Sequence, residues 1–108
     1  MDHEALLGEI GTLLASSSRD LELLERTLTD GYATALSLEG EHWRLTRRLG
    51  AVASSLDDGD RDAKSRELSE LAHRIELSEA TLTRLREVLA RLRGEYSLAA
   101  EAAGARSR

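Results

Sequence analysis

The segment Leu56-Asp57-Asp58-Gly59-Asp60-Arg61 decides the fold, because it separates two long hydrophobic repeats. Gly59 can adopt the left-handed backbone conformation that ends a helix without a steric penalty. Asp60 can then accept backbone N–H groups as the N-cap of a second helix, and Asp62 complements the dipole of its first turn. The segment therefore predicts a tight turn over about residues 57–60, with a helix on each side.

Apolar residues recur at alternating steps of three and four on both sides of this turn. One series runs from Leu7 to Leu56 and the other from Leu68 to Ala103, and neither slips by a residue. A strict repeat of this kind is typical of a coiled coil, and the chain has no proline to interrupt it. The sequence predicts one all-α domain over residues 1–108, with helices over about 4–56 and 61–103 and a frayed tail over 104–108.

A short turn makes the two helices antiparallel neighbours, and a turn centred between Asp58 and Gly59 fixes their register. The predicted core layers are Leu49 with Leu68, Leu45 with Leu71, His42 with Ile75, Leu38 with Ser78, Ala35 with Leu82, Gly31 with Leu85, Leu28 with Leu89, Leu24 with Leu92 and Leu21 with Tyr96. The predicted flanking contacts are the ion pairs Arg48–Glu67, Glu41–Arg74 and Glu25–Arg93, a cation–π contact between Tyr32 and Arg86, and the like-charge pairs Glu39–Glu79 and Asp20–Glu95. This pattern predicts a long antiparallel helical hairpin, which is a two-helix coiled coil.

An alternative interpretation breaks the first helix at Ser16-Ser17-Ser18, where serines favour caps and turns over helix interiors. Ser18 would then be the N-cap of the next helix. The hydrophobic repeat passes through this segment from Leu14 to Leu21 without a change of phase, which favours one continuous helix.

Several apolar residues remain after the seam between the two helices is filled. Tyr32, Leu36 and Trp43 form an apolar stripe beside it, and uncovered stripes of this kind mark contact surfaces. Leu6, Ile10 and Leu13 extend the contact toward the N-terminal end. We predict that this surface forms a homodimer, a four-helix bundle, with a helical protein as the other candidate partner.

The composition excludes several classes of chemistry. The chain has no cysteine, no Gly-x-Ser-x-Gly nucleophile motif and no phosphate-binding loop, so we expect no catalytic residue, no metal and no cofactor. A net charge of −5 argues against binding to nucleic acid. The first residues lack a basic signal-peptide region and no apolar run approaches about 20 residues, which predicts a cytoplasmic protein outside the membrane. The predicted function is therefore non-enzymatic: a scaffold, adaptor or small chaperone.

The sequence Glu-x-x-His occurs twice, at Glu39–His42 and at Glu70–His73. Carboxylate and histidine at this spacing on facing helices build the di-iron sites of helical bundles. In this respect the chain resembles small ferritin-like proteins that complete a metal site by dimerising, and the resemblance implies a dimeric carboxylate–histidine metal protein as the alternative function. The heptad places His42 in the seam but Glu70 and His73 on the outer face, which favours the interaction protein.

Overall fold

The computed structural model describes residues 3–16 and 20–106, which form three helices and no strand. Helix α1 covers His3–Ser16, α2 covers Leu21–Ser54 and α3 covers Arg61–Arg106. The predicted all-α class is confirmed, but the described residues form three helices and not two.

The predicted continuous helix over 4–56 is wrong, because α1 ends at Ser16 and α2 begins at Leu21. Asp20 is the N-cap of α2: its Oδ1 accepts the N–H of Leu23 at 3.1 Å, and its carbonyl oxygen accepts the N–H of Leu24 at 2.9 Å. A carboxylate in this position satisfies a backbone donor that would otherwise have no partner, which stabilises a new helix start. The alternative N-cap, Ser18, lies outside the described residues.

The turn between α2 and α3 has the chemistry that the sequence predicts. The backbone of Gly59 has a φ of 74°, which is the left-handed conformation. The Oδ1 atom of Asp60 accepts the N–H of Ala63 at 3.1 Å, so Asp60 is the N-cap of α3. Helix α2 ends at Ser54, two residues earlier than predicted. After it, the N–H of Leu56 donates to the carbonyl oxygen of Ala53 at 3.4 Å, and this bond over three residues makes a turn tighter than the α-helix.

The side chain of Lys64 holds this turn from the first turn of α3, a role that the sequence analysis does not predict. Its Nζ donates hydrogen bonds to the carbonyl oxygens of Ser55 and Asp58. Carbonyls that follow the last turn of a helix have no intrahelical partner, and a lysine ammonium satisfies two of them here.

Helix α3 is longer than predicted at its C-terminal end. It continues to Arg106, so the prediction of a frayed tail is wrong for residues 104–106. Residues 107 and 108 lie outside the described part of the chain.

The chain divides into two compact units, a first unit of residues 1–36 and 84–108 and a second unit of residues 37–83. In the first unit all three helices contribute buried side chains: Leu6, Leu7 and Ile10 from α1; Leu24, Thr27, Leu28 and Ala35 from α2; and Leu85, Leu89, Leu92 and Ala99 from α3. Apolar side chains of three helices therefore supply the core of this unit.

Gly31 packs directly against the side chain of Leu89 in the core of the first unit. A Cβ atom at Gly31 would overlap the side chain of Leu89. The predicted register placed Leu85 opposite Gly31 and Leu89 opposite Leu28, so the observed neighbour of Gly31 lies about one helical turn further along α3. A glycine is needed here because the leucine side chain fills the space of the missing methyl group.

In the second unit the end of α2 runs antiparallel to the start of α3. Its core contains Leu45, Val52 and Leu71, with Leu49, Leu68 and Ile75 packed against them. The predicted ion pair between Arg48 and Glu67 is confirmed, with Nε 2.8 Å from Oε1. The Glu41–Arg74 pair does not form. Nearer to the N-terminal end of this stretch of α2, the Nε2 atom of His42 lies 3.0 Å from Oε1 of Glu79.

Candidate interaction surface

The structure exposes the three residues of the predicted apolar stripe. In the first unit the side chains of Tyr32 and Leu36 are 43% and 70% exposed, and in the second unit that of Trp43 is 59% exposed. Contiguous patches of exposed apolar side chains mark contact surfaces on soluble proteins. Their role in contacting a partner stays a prediction.

Two of the residues predicted to extend this contact are buried inside the chain, so that part of the prediction is wrong. Leu6 is 1% exposed and Ile10 is 0% exposed, and both belong to the core of the first unit. Leu13 is half-buried. The reason is the helix break: α1 is a separate helix that buries its apolar side chains within the first unit, whereas a continuous helix would have left them at an open end.

Tyr32 of the first unit is partly covered by a cation. The guanidinium carbon of Arg93, on α3, lies 5.5 Å from the centre of the Tyr32 ring, within the range of a cation–π contact. The register predicted from the sequence placed Arg86 beside Tyr32 and paired Arg93 with Glu25. The observed partner of Tyr32 therefore lies further toward the C-terminal end of α3 than the predicted one, as the observed neighbour of Gly31 does.

Trp43 of the second unit also carries a guanidinium on its ring. The Cζ atom of Arg47 lies 4.7 Å from the ring centre. The two residues are four positions apart on α2, the spacing at which helix side chains meet, so the sequence carries a signal for this contact that the predicted contacts do not include. The guanidinium of Arg47 therefore covers one part of a Trp43 side chain that remains mostly in solvent.

A shallow cavity of about 370 Å³ lies on the outer surface of α2 in the first unit. Its lining is mostly acidic or hydroxylated and consists of Glu22, Glu25, Arg26, Thr29 and Asp30. The sequence analysis did not predict it. The signal for it in the sequence is the clustering of three carboxylates against one arginine at the start of α2.

The residues of the metal interpretation do not form a metal-binding group in the part of the chain that the structure describes. His42 is bonded to Glu79, and both Glu70 and His73 are exposed on α3. Across residues 3–16 and 20–106 no three histidine, aspartate or glutamate side chains lie close enough together to hold an ion.

Within those same ranges, none of the helices combines the length and the apolar character required to cross a membrane. Comparison with protein-family models, with curated proteins and with solved structures found no significant match.

Proposed function

We propose that this protein acts without catalysis, as a helical interaction protein of the scaffold, adaptor or small-chaperone type, and that it associates with a second copy of itself. The observation that carries the proposal is the exposure of Trp43, Leu36 and Tyr32. Burying a large apolar side chain stabilises a complex by about 1.5–3 kcal/mol, so these three residues would supply much of the driving force. An exposed tryptophan with an arginine on its ring has the composition of an interface anchor.

The second unit gives a further reason to expect a partner. It consists of two helix segments, and its buried apolar side chains are Leu45, Val52, Leu71 and Leu82. Two helices bury one stripe each, which is a small core for independent stability. Association of two copies would add a second helix pair, and we propose that α2 and α3 of each copy form a four-helix bundle.

We also propose that α2 and α3 pair as an antiparallel coiled coil. The support comes from two contacts in the second unit. Arg48, which lies nearer to the turn on α2, contacts Glu67 on α3, and His42, which lies further from the turn, contacts Glu79. This order is the one that an antiparallel pair of helices requires. The apolar repeat of both helices, with its steps of three and four, is the pattern that a coiled coil requires.

Light scattering across a concentration series tests self-association directly. We expect a mass near twice 11.9 kDa. Trp43→Ala should raise the dissociation constant about 30-fold, which corresponds to the roughly 2 kcal/mol of an interface anchor. Leu77→Ala, which removes another exposed apolar side chain of the second unit, is the matched control and should change the constant little.

A monomer at every concentration would contradict self-association. The surface around the three exposed residues would then be proposed to bind a helical protein partner instead. A dimer that tolerates Trp43→Ala as well as Leu77→Ala would remove Trp43 from the contact.

A further inference from the structure

We propose that the two copies meet through α2, with an acidic face in the first unit of one copy receiving a basic face in the second unit of the other. This inference rests on the proposed self-association and names the surfaces that make it. The acidic face consists of Glu22, Glu25, Thr29, Tyr32 and Leu36. The basic face consists of Gly40, Trp43, Arg47 and Gly50.

Within each unit the residues of the face are spaced by three and four, so they share one side of α2. Every residue of the acidic face is exposed, and so are Trp43, Arg47 and Gly50, while Gly40 is half-buried. Nothing lies within 4 Å of the position that a Cβ at Gly50 would occupy, so a neighbouring helix can approach closely there. Both faces are therefore accessible for docking.

The charges of the two faces are complementary. The acidic face carries Glu22 and Glu25 and no basic residue, whereas the basic face carries Arg47 and no acidic residue. A contact between the same face of both copies would place like charges together, and a contact between the two different faces pairs opposite charges. Opposite charges raise the rate of encounter and select the register of the contact.

An antiparallel alignment of the two faces also matches large side chains with small ones. With Arg47 opposite Glu25, Trp43 lies opposite Thr29 and Tyr32 opposite Gly40. The shallow cavity on the first unit is lined by Glu25 and Thr29 among others, so this register places the indole over that cavity and the guanidinium of Arg47 beside Glu25. Tryptophan and arginine are the residue types most often found as anchors of an interface.

Two-fold symmetry would form this contact twice, since each copy carries both faces. In the same register Leu36 lies opposite the Leu36 of the second copy. The contact is then closed: each copy donates one tryptophan and accepts one.

Charge reversal tests this register through Glu25→Arg and Arg47→Glu, because each variant alone places like charges together twice in a dimer. We expect each to raise the dissociation constant of the full-length chain about tenfold or more, by light scattering at low salt. An equimolar mixture of the two variants should dimerise as tightly as the unaltered chain, because both contacts then pair opposite charges. Arg66→Glu, an exposed reversal on α3, is the matched control and should leave the constant unchanged.

Rescue in the mixture also excludes misfolding as the cause of the single-variant defects, and helical circular dichroism of each variant gives a second check. If the unaltered chain dimerises while Glu25→Arg and Arg47→Glu do so equally well, the register is overturned and self-association stands. If both variants are weakened but their mixture is not restored, the pairing of these two residues is overturned. A monomeric unaltered chain would instead overturn the proposed self-association itself.

Discussion

The hydroxyl of Ser78 is buried in the second unit and has no hydrogen-bond partner among the described residues. Position 78 belongs to the apolar repeat of α3, where the predicted register paired it with Leu38. A buried hydroxyl that loses its water without gaining a partner lowers the stability of a fold, and the helix backbone gains little from serine. We therefore expect the buried hydroxyl of Ser78 to lower the free energy of unfolding, compared with an apolar side chain of similar size at the same position.

Ser78→Ala should raise the free energy of unfolding by about 1–2 kcal/mol, because it removes the unpaired hydroxyl and adds helix propensity. Ser69→Ala on the exposed side of α3 gives the propensity gain alone, about 0.5 kcal/mol. Urea denaturation of both variants measures the difference. Equal effects of the two substitutions would show that the Ser78 hydroxyl is satisfied in solution.

Gly31→Ala should destabilise the protein although alanine is the better helix former. The new methyl group would overlap the side chain of Leu89, which is buried and has little room to move, at a cost of about 1–3 kcal/mol. Gly94→Ala, on α3 of the same unit, meets open space and should stabilise by about 0.5–1 kcal/mol. Thermal unfolding of the pair checks the sign, and a stabilised Gly31→Ala variant would contradict this close approach.

At the level of elements, the hydrophobic repeat identified the helices but could not detect the end of α1. Leu14 and Leu21 are separated by one heptad, so the repeat keeps its phase whether or not the chain is helical between them. The evidence for a new helix was local: Asp20 precedes α2 and accepts two backbone N–H groups. At the other break, Gly59 and Asp60 coincide with a real gap in the repeat, and there the sequence was sufficient.

Asp20→Ala should lower the free energy of unfolding by about 1 kcal/mol, because the backbone N–H of Leu23 loses its acceptor. Asp20→Asn retains an oxygen in the same place and should cost only a few tenths of this. Urea denaturation of both variants separates the cap from general effects of the charge. An Asp20→Asn variant as unstable as Asp20→Ala would show that the carboxylate acts through its charge.

At the level of the whole molecule, the sequence placed Tyr32, Leu36 and Trp43 outside the seam correctly but misplaced Leu6 and Ile10. The positions of Tyr32, Leu36 and Trp43 outside the seam follow from helical periodicity alone, and the sequence shows that periodicity directly. The position of Leu6 and Ile10 depends on α1 being a separate helix that adds its side chains to the core of the first unit, and periodicity carries no information about such long-range packing. For the same reason the register beside Gly31 was misjudged by about one turn of α3.

The proposed dimer should weaken as the salt concentration rises. Its acidic and basic faces are exposed, and charges at an exposed contact are screened once the Debye length falls from about 10 Å at 0.1 M salt to about 3 Å at 1 M. We expect the dissociation constant to increase several-fold over this range, measured by analytical ultracentrifugation. The Glu25→Arg and Arg47→Glu variants should show the reverse trend, because salt screens their repulsion. A salt-independent constant would show that burial of apolar side chains alone drives association.

The contact of Lys64 with the turn has a consequence for enzymatic digestion. Lys64 is the one lysine in the sequence, so a lysine-specific endoprotease has a single site, at the start of α3. Its ammonium group is held by the carbonyls of Ser55 and Asp58, and the helix around it must open before the bond enters an active site. The rate of appearance of two fragments, residues 1–64 and 65–108, then measures how often this turn opens in the native protein.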